Sequence, residues 1–419
     1  MLYCSKSDIN KHLGDTEVSN AVCEAINKSS YGSELIVVPP DITRIHSGAG
    51  KITEYIWNKF GKRITDILPA LGTHSPMTGG ELSAMFGNVP GNLFREHSWR
   101  KDVVRLGEVP GEYINMVSEG KLNYPWPVEL NRLIAESGGK QVVSIGQVVP
   151  HEVIGMANYN KNILIGCGGS EGINKSHYLG AVYGIERIMG TAINPVREVL
   201  NFGESAFASH LNILYILTVI GKDKTGSPGI AGLFIGDDQE CFLKAAELSS
   251  QLNITSLPEP LKKVLVNLNP DEYRSTWLGN KAIYRTRMAM ASGGELLINA
   301  PGIKSFGEDM EIDRLIRKYG YRPAEEIIDL VNKNSELRDN LAAAAHLIHG
   351  SPEGRFNVIY STAKLDREEI KKVGFDWMDS DSLNKKYNIN NLKEGFNTLP
   401  DGEEVYYISN PGLGLWKTG

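Results

Sequence analysis

The feature that most constrains the fold is a regular alternation of short apolar runs with segments of helical periodicity. The apolar runs include ELIVVPPD (34–41), ITDILPALGTH (64–74) and QVVSIGQVVPH (141–151). Segments with apolar residues at helical spacing lie before and between them, including 16–31 and GAGKITEYIWNKFG (48–61). Strands that alternate with helices in this way are typical of a parallel sheet covered by helices. We therefore predict an α/β protein with mainly parallel sheets.

The same alternation continues through the rest of the chain. KNILIGCGG (161–169) is predicted as a fourth strand, followed by a helix in INKSHYLGAVYGIERIMG. MTGGELSAMFG is predicted as a helix whose start is marked by Thr78, because a threonine side chain is a good N-cap. YRSTWLGNKAIYRTRMAMA is predicted as a helix. Later strands are predicted in LNILYILTVIG, IAGLFIGDD, GELLINAPG and FNVIYST.

The chain is long enough for more than one domain. Its 419 residues fit two or three domains, and around residues 250–262 the composition becomes polar, with two prolines in SLPEPLKK. We predict an N-terminal α/β domain over 1–255 and a C-terminal α/β domain over 262–395. The tail 396–419 is β-like and is compatible with either domain. The active site is expected in the cleft between the two domains.

Composition and charge exclude several classes of protein. The net charge is -6 and no Lys/Arg-rich run occurs, so we expect no nucleic-acid partner. No apolar run approaches the length of a membrane span, which is roughly 20 residues, and the N-terminus does not resemble a signal peptide. The four cysteines are scattered and form no CxxC pair, so we predict free thiols and a cytoplasmic location.

Polar side chains follow three of the predicted strands at the points where those strands end. Asp41, Thr43 and Arg44 follow VVPP, His74 ends the second strand, and His151 ends the third. In open parallel sheets, ligands bind outside the carboxyl ends of strands, so these side chains are expected at one sheet edge. Each one also has an ordinary interpretation, as a helix cap, a surface residue or a turn residue, and only their shared placement favours a site.

These residue types indicate acid/base chemistry. Two histidines can serve as acid and base, and an arginine can hold a carboxylate in a bidentate way. Lys161, in a polar loop, is a candidate nucleophile or covalent anchor, and His177 is a candidate ligand for nickel or zinc. The GCGGSEG cluster is suited to close approach by an anion, but its third glycine position holds Glu171, so it is no dinucleotide fingerprint. The residues alone predict an acid/base site that includes a metal ligand, and they leave the reaction open.

Four motifs in order resemble those of a known family. They are PPDITR (39–44), ALGTHSPMT (70–78), PHEVIGMANYNK (150–161) and WLGNK (277–281). With them the chain resembles the nickel-pincer-nucleotide-dependent lactate racemases over most of its length. The specificity lies in the combination of DxTR, GTH, a histidine ten residues before a lysine, and a later histidine and lysine.

The resemblance implies a role for each matching residue. His74 and His151 would be the catalytic acid and base, Lys161 the covalent anchor of the nickel-pincer nucleotide, and His177 the nickel ligand. It further implies a small 2-hydroxy acid as substrate and a need for cofactor-biosynthesis proteins. Beside these, we predict cofactor contacts from Asp41, Thr43, Arg44 and Lys175, and substrate contacts from Arg44, Lys281, Trp277, Asn158 and Tyr159.

Some positions depart from the lactate enzymes and bear on the substrate. Asn158-Tyr159-Asn160 stands where those enzymes have Gly-Gly-Arg, Asn280 precedes the second-domain lysine, and Ser75 replaces an arginine. These amide and hydroxyl groups suit a polyhydroxylated chain. The pattern is more similar to members proposed to epimerise sugar acids at C2, so we expect an aldonate such as D-gluconate or D-mannonate.

Three alternatives remain open at this point. The first is racemisation of a smaller 2-hydroxy acid, such as lactate or malate. The second is a zinc-dependent lyase or hydrolase with His74, His151 and His177 as ligands. The third is a non-catalytic protein that binds the cofactor or a sugar acid.

Overall fold

The structure, a computed structural model, describes residues 1–29, 34–224 and 226–419, with the side chain of Leu413 left aside. Residues 30 and 31, the end of the predicted helix 16–31, lie outside this range. The chain divides into two compact units, one formed by Met1–Leu179 and Ile188–Asn253, the other by Gly180–Arg187 and Ile254–Gly419. The tail 396–419 therefore lies in the second unit.

The strands of the first unit are named in chain order. They are β1 (Leu2–Ser7), β2 (Leu35–Val38), β3 (Ile64–Ile67), β4 (Val103–Val109), β5 (Trp126–Asn131), β6 (Gln141–Gln147), β7 (Pro150–His151), β8 (Gly155–Met156), β9 (Ile213–Lys222) and β10 (Pro228–Gly236).

The main sheet of this unit has the order β1-β10-β9-β6-β2-β3. β9, β6, β2 and β3 run parallel to one another, whereas β10 and β1 are added by antiparallel pairing at the β9 edge. Only a short loop separates β9 from β10, and antiparallel strands can be joined by such a loop. Every residue of β2 and β6 is buried, as expected for central parallel strands that are covered on both faces.

Helices surround this sheet. They are α1 (Asp15–Ser29), α2 (Ala49–Phe60), α3 (Gly79–Phe86), α4 (Gly111–Val117), α5 (Arg132–Ala135), α6 (Asn160–Leu164), α7 (Ser170–Tyr183), α8 (Ile185–Ile188), α9 (Pro195–Gly203) and α10 (Gln239–Asn253), with residues 180–187 belonging to the second unit. Thr78 caps α3 through a reciprocal capping box with Glu81, so that predicted start is confirmed. Val22, Ile52 and Val37 lie in the buried core between α1, α2 and β2.

The second unit is again α/β. Its strands are β11 (Ile254–Leu257), β12 (Leu261–Asn267), β13 (Met290–Asn299), β14 (Asn357–Ser361), β15 (Asp376–Trp377), β16 (Gly395–Thr398), β17 (Glu404–Ile408) and β18 (Leu415–Thr418). Its further helices are α11 (Thr276–Gly279), α12 (Lys281–Thr286), α13 (Met310–Tyr319), α14 (Ala324–Lys333), α15 (Ser335–Arg338), α16 (Leu341–His349), α17 (Arg367–Lys372) and α18 (Ser380–Tyr387).

The main sheet here has the order β15-β14-β13-β12-β17-β16, and only β16 is antiparallel to its neighbour. Leu265, Leu297 and Tyr407 form part of a core that Leu383 and Tyr387 of α18 cover. The prediction of an α/β fold with mainly parallel sheets is confirmed. No helix among the described residues combines the length and the apolar character that a membrane span requires.

Two local predictions are wrong. KNILIGCGG is not a strand, since α6 occupies Asn160–Leu164 and a turn follows it. The predicted helix in YRSTWLGNKAIYRTRMAMA is divided into α11 and α12, and β13 begins at Met290. Short apolar runs are ambiguous because strands and buried helical turns have the same composition, and only tertiary packing distinguishes them.

Candidate functional site

The carboxyl ends of β2 and β3 bring Asp41 and His74 together. Beyond the last residues of these strands, Pro40 pairs with Ala70 in a parallel bridge, so the two chain segments leave the sheet side by side. Asp41 then caps a 3-10 helix, Ile42–Ser47, by accepting from the Thr43 N–H at 3.2 Å. His74 lies in the turn after β3, and its backbone N–H donates to Leu71 O.

His74 and Asp41 form a histidine–carboxylate pair. His74 Nδ1 lies 2.5 Å from Asp41 Oδ2, and the Asp41 side chain is 6% exposed while that of His74 is 40% exposed. Burial by itself would raise the pKa of Asp41, but hydrogen bonds from His74 and Thr43 and the charge of Arg44 hold it below its ordinary value. The ionised carboxylate accepts the Nδ1 proton of His74. The Nδ1 of His74 is therefore fixed as a hydrogen-bond donor.

His151 lies at the end of a two-strand ribbon formed by β7 and β8. Its ring is buried, and its Nδ1 accepts a hydrogen bond from the Val153 backbone N–H at 3.1 Å. A ring nitrogen that accepts carries no proton, so the proton of the neutral ring is on Nε2. Glu152 Oε2 lies 3.8 Å from the same Nδ1. Nδ1 of His151 is therefore an acceptor, whereas Nδ1 of His74 is a donor.

Lys161 occupies the first turn of α6. Asn162 docks this helix on the strand ends, since its side-chain amide donates to Val38 O of β2 at 3.2 Å and to Ser144 Oγ of β6 at 3.0 Å. Burial, reinforced by the charge of Arg44, lowers the pKa of Lys161 to about 8, although Glu152 and Asp41 oppose this shift. A substantial fraction of the amine is therefore neutral near physiological pH, as nucleophilic attack requires.

His177 lies within α7 rather than at a helix start. Its Nδ1–H donates to Ile173 O at 2.7 Å, one turn earlier in the same helix. This bond fixes Nδ1 of His177 as a donor, which is the arrangement usual for histidines whose other ring nitrogen binds a metal. Burial, together with the charge of Lys161, lowers the pKa of His177 to about 4, so the ring is neutral at pH 7.

The electrostatic contacts show that these side chains form one cluster within the first unit. The charges of Arg44, Asp41 and Glu152 act on the pKa of Lys161. The charges of Lys161 and Glu152 act on the pKa of His177. Within residues 1–29, 34–224 and 226–419, no three His, Cys, Asp or Glu side chains are grouped so that they could hold a metal ion. The three-histidine zinc site of the second alternative is therefore not present in this part of the chain.

Lys175 is engaged with the protein. Its Nζ lies 2.5 Å from Glu171 Oε1 and donates to Pro125 O at 2.7 Å, and it also lies over the ring of Tyr124. These contacts support a structural role for Lys175 on the surface of α7. The predicted phosphate contact of Lys175 has no support from this geometry.

The three residues before Lys161 are buried, with unusual backbone angles. Asn158 and Tyr159 both have positive φ, 66° and 58°. The Tyr159 ring packs against Tyr215 and Phe242 at centroid distances of 4.4 and 5.3 Å. The Asn160 amide donates to Glu204 Oε2 at 3.0 Å. The Tyr159 and Asn160 side chains are thus committed to the interior of the first unit.

Asn158 is also enclosed by the protein. Its Oδ1 accepts from the Tyr159 N–H at 2.8 Å. Its amide nitrogen lies over Gly146, where an added Cβ would be only 1.7 Å away. This close approach explains the glycine in the middle of β6. We had predicted substrate contacts from Asn158 and Tyr159, and the structure instead shows contacts that shape the backbone before Lys161.

In the second unit, Trp277 lies on α11 and Lys281 begins α12. The Trp277 indole stacks on the ring of His346, with centroids 4.4 Å apart. His346 bridges two phenols, with Tyr284 OH 2.8 Å from Nδ1 and Tyr321 OH 2.8 Å from Nε2. The Lys281 Nζ lies over the ring of Tyr273 at 5.7 Å. Trp277 is therefore held by a buried polar network.

Asn280, between these two residues, is buried. Its Oδ1 accepts from Tyr360 OH at 2.6 Å. The side-chain oxygen of Asn280 is therefore bound by another protein group. Asn280 is thus a further residue that is predicted to bind a polyhydroxylated substrate but lies in the interior.

The glycine cluster after α6 allows close packing of protein on protein. A Cβ at Gly168 would lie 2.1 Å from Leu164 O, and one at Gly169 would lie 2.0 Å from a carboxylate oxygen of Glu129. The atoms that approach these glycines therefore belong to the protein, and one of them carries negative charge. Our interpretation of this cluster as a cradle for an anion is not supported.

Two further histidines of the first unit, His97 and His46, differ in their surroundings. His97 is buried and has partners at both ring nitrogens: Nε2 donates to Gly168 O at 3.0 Å, and Nδ1 accepts from the Asn131 amide at 3.0 Å. It therefore stabilises the turn between α6 and α7. His46 is exposed on the 3-10 helix that follows Asp41.

Sequence reasoning missed Arg197 and Glu204, two buried charged residues beside the cluster. Arg197 is fully buried in α9 and donates to the backbone of the segment before Lys161. A detectable signal was present in INPVREVLNFGES, where Arg197 lies between Val196, Val199 and Leu200 on the apolar face of an amphipathic helix. Charged residues are almost never fully buried unless they are paired, so this position called for an explanation.

Comparison with known proteins found a matching family model and similar solved structures. Residues 6–187 match the lactate racemase N-terminal domain. Among curated proteins, none matches the chain in sequence. A crystal structure of a Thermotoga maritima protein is similar with a TM-score of 0.83 and 23% identity, over 99% of this chain and 100% of that one. The lactate racemase apoprotein from Thermoanaerobacterium thermosaccharolyticum has a TM-score of 0.71 and 16% identity, over 99% and 94% of the two chains. The chain thus has a lactate racemase-like N-terminal region, and it shares the fold of both structures.

Proposed function

We propose that this chain, whose residues 6–187 match a lactate racemase N-terminal domain, is a racemase or epimerase that inverts C2 of a 2-hydroxy acid. The observation that carries the proposal is that two histidines of the first unit have their Nδ1 atoms fixed in opposite hydrogen-bonding roles. Asp41 accepts the Nδ1–H of His74, and the Nδ1 of His151 accepts from the Val153 N–H. Inversion of a carbinol carbon needs one group that removes a proton and another that returns one.

The cluster has the chemical groups that a nickel-pincer nucleotide requires. His177 offers Nε2 as a ligand because Ile173 O holds its other nitrogen. Lys161 has a lowered pKa, as an amine that forms a covalent bond requires. When bound, this group would supply a hydride acceptor at a pyridinium carbon. We include nickel at His177 and a covalent bond at Lys161 in the proposal, and loading would depend on cofactor-biosynthesis proteins.

The roles of the protein side chains follow from their surroundings. His74 Nε2 takes the proton of the 2-hydroxyl group, and Asp41 stabilises the imidazolium that results. His151 Nε2–H returns a proton to the oxygen when the other face of the carbon is reduced. Arg44 binds the substrate carboxylate, since a guanidinium matches it in a bidentate way. Lys281 and Trp277 are proposed as substrate contacts from the second unit.

We propose an aldonate such as D-gluconate or D-mannonate as the substrate, and lactate or malate as the alternative. The support for an aldonate is that this chain departs from the lactate enzymes at 158–160, 280 and Ser75. The structure places Tyr159, Asn160 and Asn280 in contact with other protein groups. The substrate assay therefore tests lactate and malate under the same conditions as the aldonates.

The test is a chiral product assay. Purified protein, produced with the cofactor-biosynthesis proteins, is incubated with single C2 stereoisomers of gluconate, mannonate, lactate and malate. Chiral chromatography should show the C2 epimer of an aldonate. Conversion of lactate or malate with no conversion of any aldonate would overturn the substrate assignment. Inversion of none of these acids by cofactor-loaded protein would overturn the function.

Metal analysis and intact mass distinguish the other classes. We expect nickel and an added mass on Lys161 in the loaded protein. His177→Ala should lose the nickel and keep its circular dichroism spectrum, because one side chain does not hold a chain of this size together. Bound zinc without a mass on Lys161 would instead favour a hydrolase or lyase. A protein that retains its function in His74→Ala and His151→Ala would be a carrier or sensor.

A further inference from the structure

Arg197 is a buried cation that the proposed chemistry does not use. It lies in α9, whose N-cap is Asn194, and none of its surface is exposed. Its guanidinium lies 4.2 Å from the centroid of the Phe242 ring. A guanidinium is desolvated at a large cost unless its N–H groups find acceptors, so its partners indicate why it is there.

The hydrogen-bond acceptors of the Arg197 guanidinium lie in the short segment that ends at Lys161. Its Nη2 donates to Met156 O at 2.8 Å, and both Nη atoms lie 3.2 Å from Asn158 O. A further hydrogen bond runs from Nη1 to Asn160 Oδ1. The fixed fork of a guanidinium can bind several oxygens in one plane, which a lysine cannot do.

Asn194 extends this set of contacts by one residue pair. Its side-chain amide donates to Ile154 O at 3.0 Å. The carbonyl groups of residues 154, 156 and 158 are therefore all bound from the first turn of α9. Since His151 precedes this segment and Lys161 follows it, both ends of the segment carry a functional side chain.

Asn160 connects the same segment to the other end of α9. Its amide donates to Asn201 Oδ1 at 2.7 Å and to Glu204 Oε2 at 3.0 Å, while Tyr215 OH donates to the other oxygen of Glu204. The carboxylate of Glu204 also balances the charge of Arg197. The network is thus a neutralised pair of buried charges with the segment between them.

The segment needs this support because its backbone is strained. Consecutive positive φ values at Asn158 and Tyr159 are unfavourable for residues with a Cβ and persist only where the surroundings impose them. The bonds from Arg197 to the Asn158 carbonyl hold the backbone at the strained position itself.

We propose that Arg197 is the positioning residue of the His151–Lys161 segment, and that its guanidinium holds the backbone that places both side chains. The inference deepens the proposed function, because it concerns the anchor and one of the two histidines assigned there. The charge of Arg197 also contributes, after burial and Arg44, to the lowered pKa of Lys161.

The test compares Arg197→Met with a matched control, Arg287→Met. Arg287 is also buried, and its guanidinium binds His349 O at 3.0 Å and Glu186 Oε1 at 2.9 Å, but it lies in the second unit. The two substitutions remove the same chemical group from a buried site. Only the first removes it from the His151–Lys161 segment.

Two readouts are made on the full-length apoprotein. The first is hydrogen exchange of residues 152–162, with α10 as an internal reference for global stability. The second is the rate at which a small amine-reactive reagent acylates Lys161, relative to the exposed Lys371. For Arg197→Met we expect about tenfold faster exchange in 152–162 at unchanged protection of α10, and an altered Lys161-to-Lys371 ratio. For Arg287→Met we expect neither change.

Arg197→Lys separates geometry from charge. An ammonium keeps the charge but cannot bind all three oxygens, so this variant should resemble Arg197→Met in both readouts. Wild-type behaviour of Arg197→Lys would show that charge alone is sufficient and would overturn the positioning role. Unchanged exchange and acylation in Arg197→Met would overturn it as well.

A milder variant covers the case in which Arg197→Met does not fold. Asn160→Ala removes the bonds to Arg197, Asn201 and Glu204 while it leaves the bonds from Arg197 to the backbone. It should loosen 152–162 in the same direction, by a smaller factor, and an absence of any loosening would count against the network. No substrate enters these measurements, so they decide the role of Arg197 even if no 2-hydroxy acid is turned over.

Discussion

The surroundings of His74 and His151 differ in nearly every respect. His74 is 40% exposed and donates Nδ1–H to a buried carboxylate, whereas His151 is buried and accepts at Nδ1 from a backbone N–H. An ionised carboxylate holds Nδ1 of His74 as a donor, and a backbone amide holds Nδ1 of His151 as an acceptor. The comparison shows that the surroundings, and not the residue type, set the hydrogen-bonding role of each Nδ1.

The largest expected effect is the loss of either histidine. His74→Ala and His151→Ala should each lower kcat/KM by about 100-fold or more, the scale of general acid/base catalysis. Because the equilibrium constant is unchanged, kcat/KM must fall by the same factor in both directions, which initial rates from each stereoisomer would check. Near-native turnover in both variants would show that the two histidines are not the acid and the base.

A smaller effect is expected when only the orientation of His74 is disturbed. In Asp41→Asn the Nδ1–H of His74 loses its ionised acceptor, and the amide can favour the wrong tautomer. We expect kcat to fall by about 10- to 1,000-fold while nickel at His177 is retained. Glu152→Gln, beside His151, serves as the control, since His151 is oriented by the Val153 N–H and should keep most of its rate.

The Asp41 carboxylate should also make the stability of the fold depend on pH in the acidic range. Its folded-state pKa is lowered, so its ionised form stabilises the fold above the unfolded-state pKa, and this contribution is lost as the pH falls below that value. Asp41→Asn should therefore be less stable than wild type at pH 7, with the difference disappearing at low pH. Urea unfolding at several pH values would measure this, and a constant difference would contradict it.

Lys161, in the segment that follows His151, should have the opposite effect on stability. Its pKa is lowered from 10.5 to about 8, so the unfolded chain binds its proton more tightly and the charged form opposes folding below pH 8. We expect Lys161→Met to stabilise the apoprotein by about 1–2 kcal/mol at pH 7, after allowance for partial exposure. The gain should shrink as the pH rises from 8 to 10.5.

The smallest expected effect is a shift in the labelling profile of Lys161. In the apoprotein, acylation of Lys161 should reach half of its maximal rate near pH 8, more than two pH units below the ordinary pKa of a lysine. Peptide mapping by mass spectrometry would report both rates in one sample. A midpoint near that of Lys371 would show that Lys161 does not lie in a low-polarity environment.

Much of the fold could be predicted from the sequence because the local sequence signals and the tertiary structure agree. The alternation of apolar runs and helical periods predicted the parallel sheets, and Thr78 predicted the start of α3 because its cap is made within four residues of chain. The strand ends pointed to Asp41, Thr43, Arg44, His74 and His151 because parallel strands carry their loops to one edge. Such signals are short in range or follow from the topology alone.

The predictions fail where contacts between residues that are distant in sequence determine the local structure. The run 161–169 became a helix and a turn because Asn162 docks on β2 and β6, which lie far away in sequence. The segment 158–160 looked like a substrate surface because its residues are polar. Nothing local indicates that Arg197, nearly 40 residues later, encloses them.

The sequence by itself determined which residue types are available, the order of strands and helices, and which side chains end the strands. The tertiary structure alone decided the protonation and the surroundings of those side chains. Tautomers depend on which acceptor or donor lies within hydrogen-bonding distance, as Asp41 does for His74 and Ile173 O for His177. The lowered pKa of Lys161 depends on burial, and burial is a property of the packed chain.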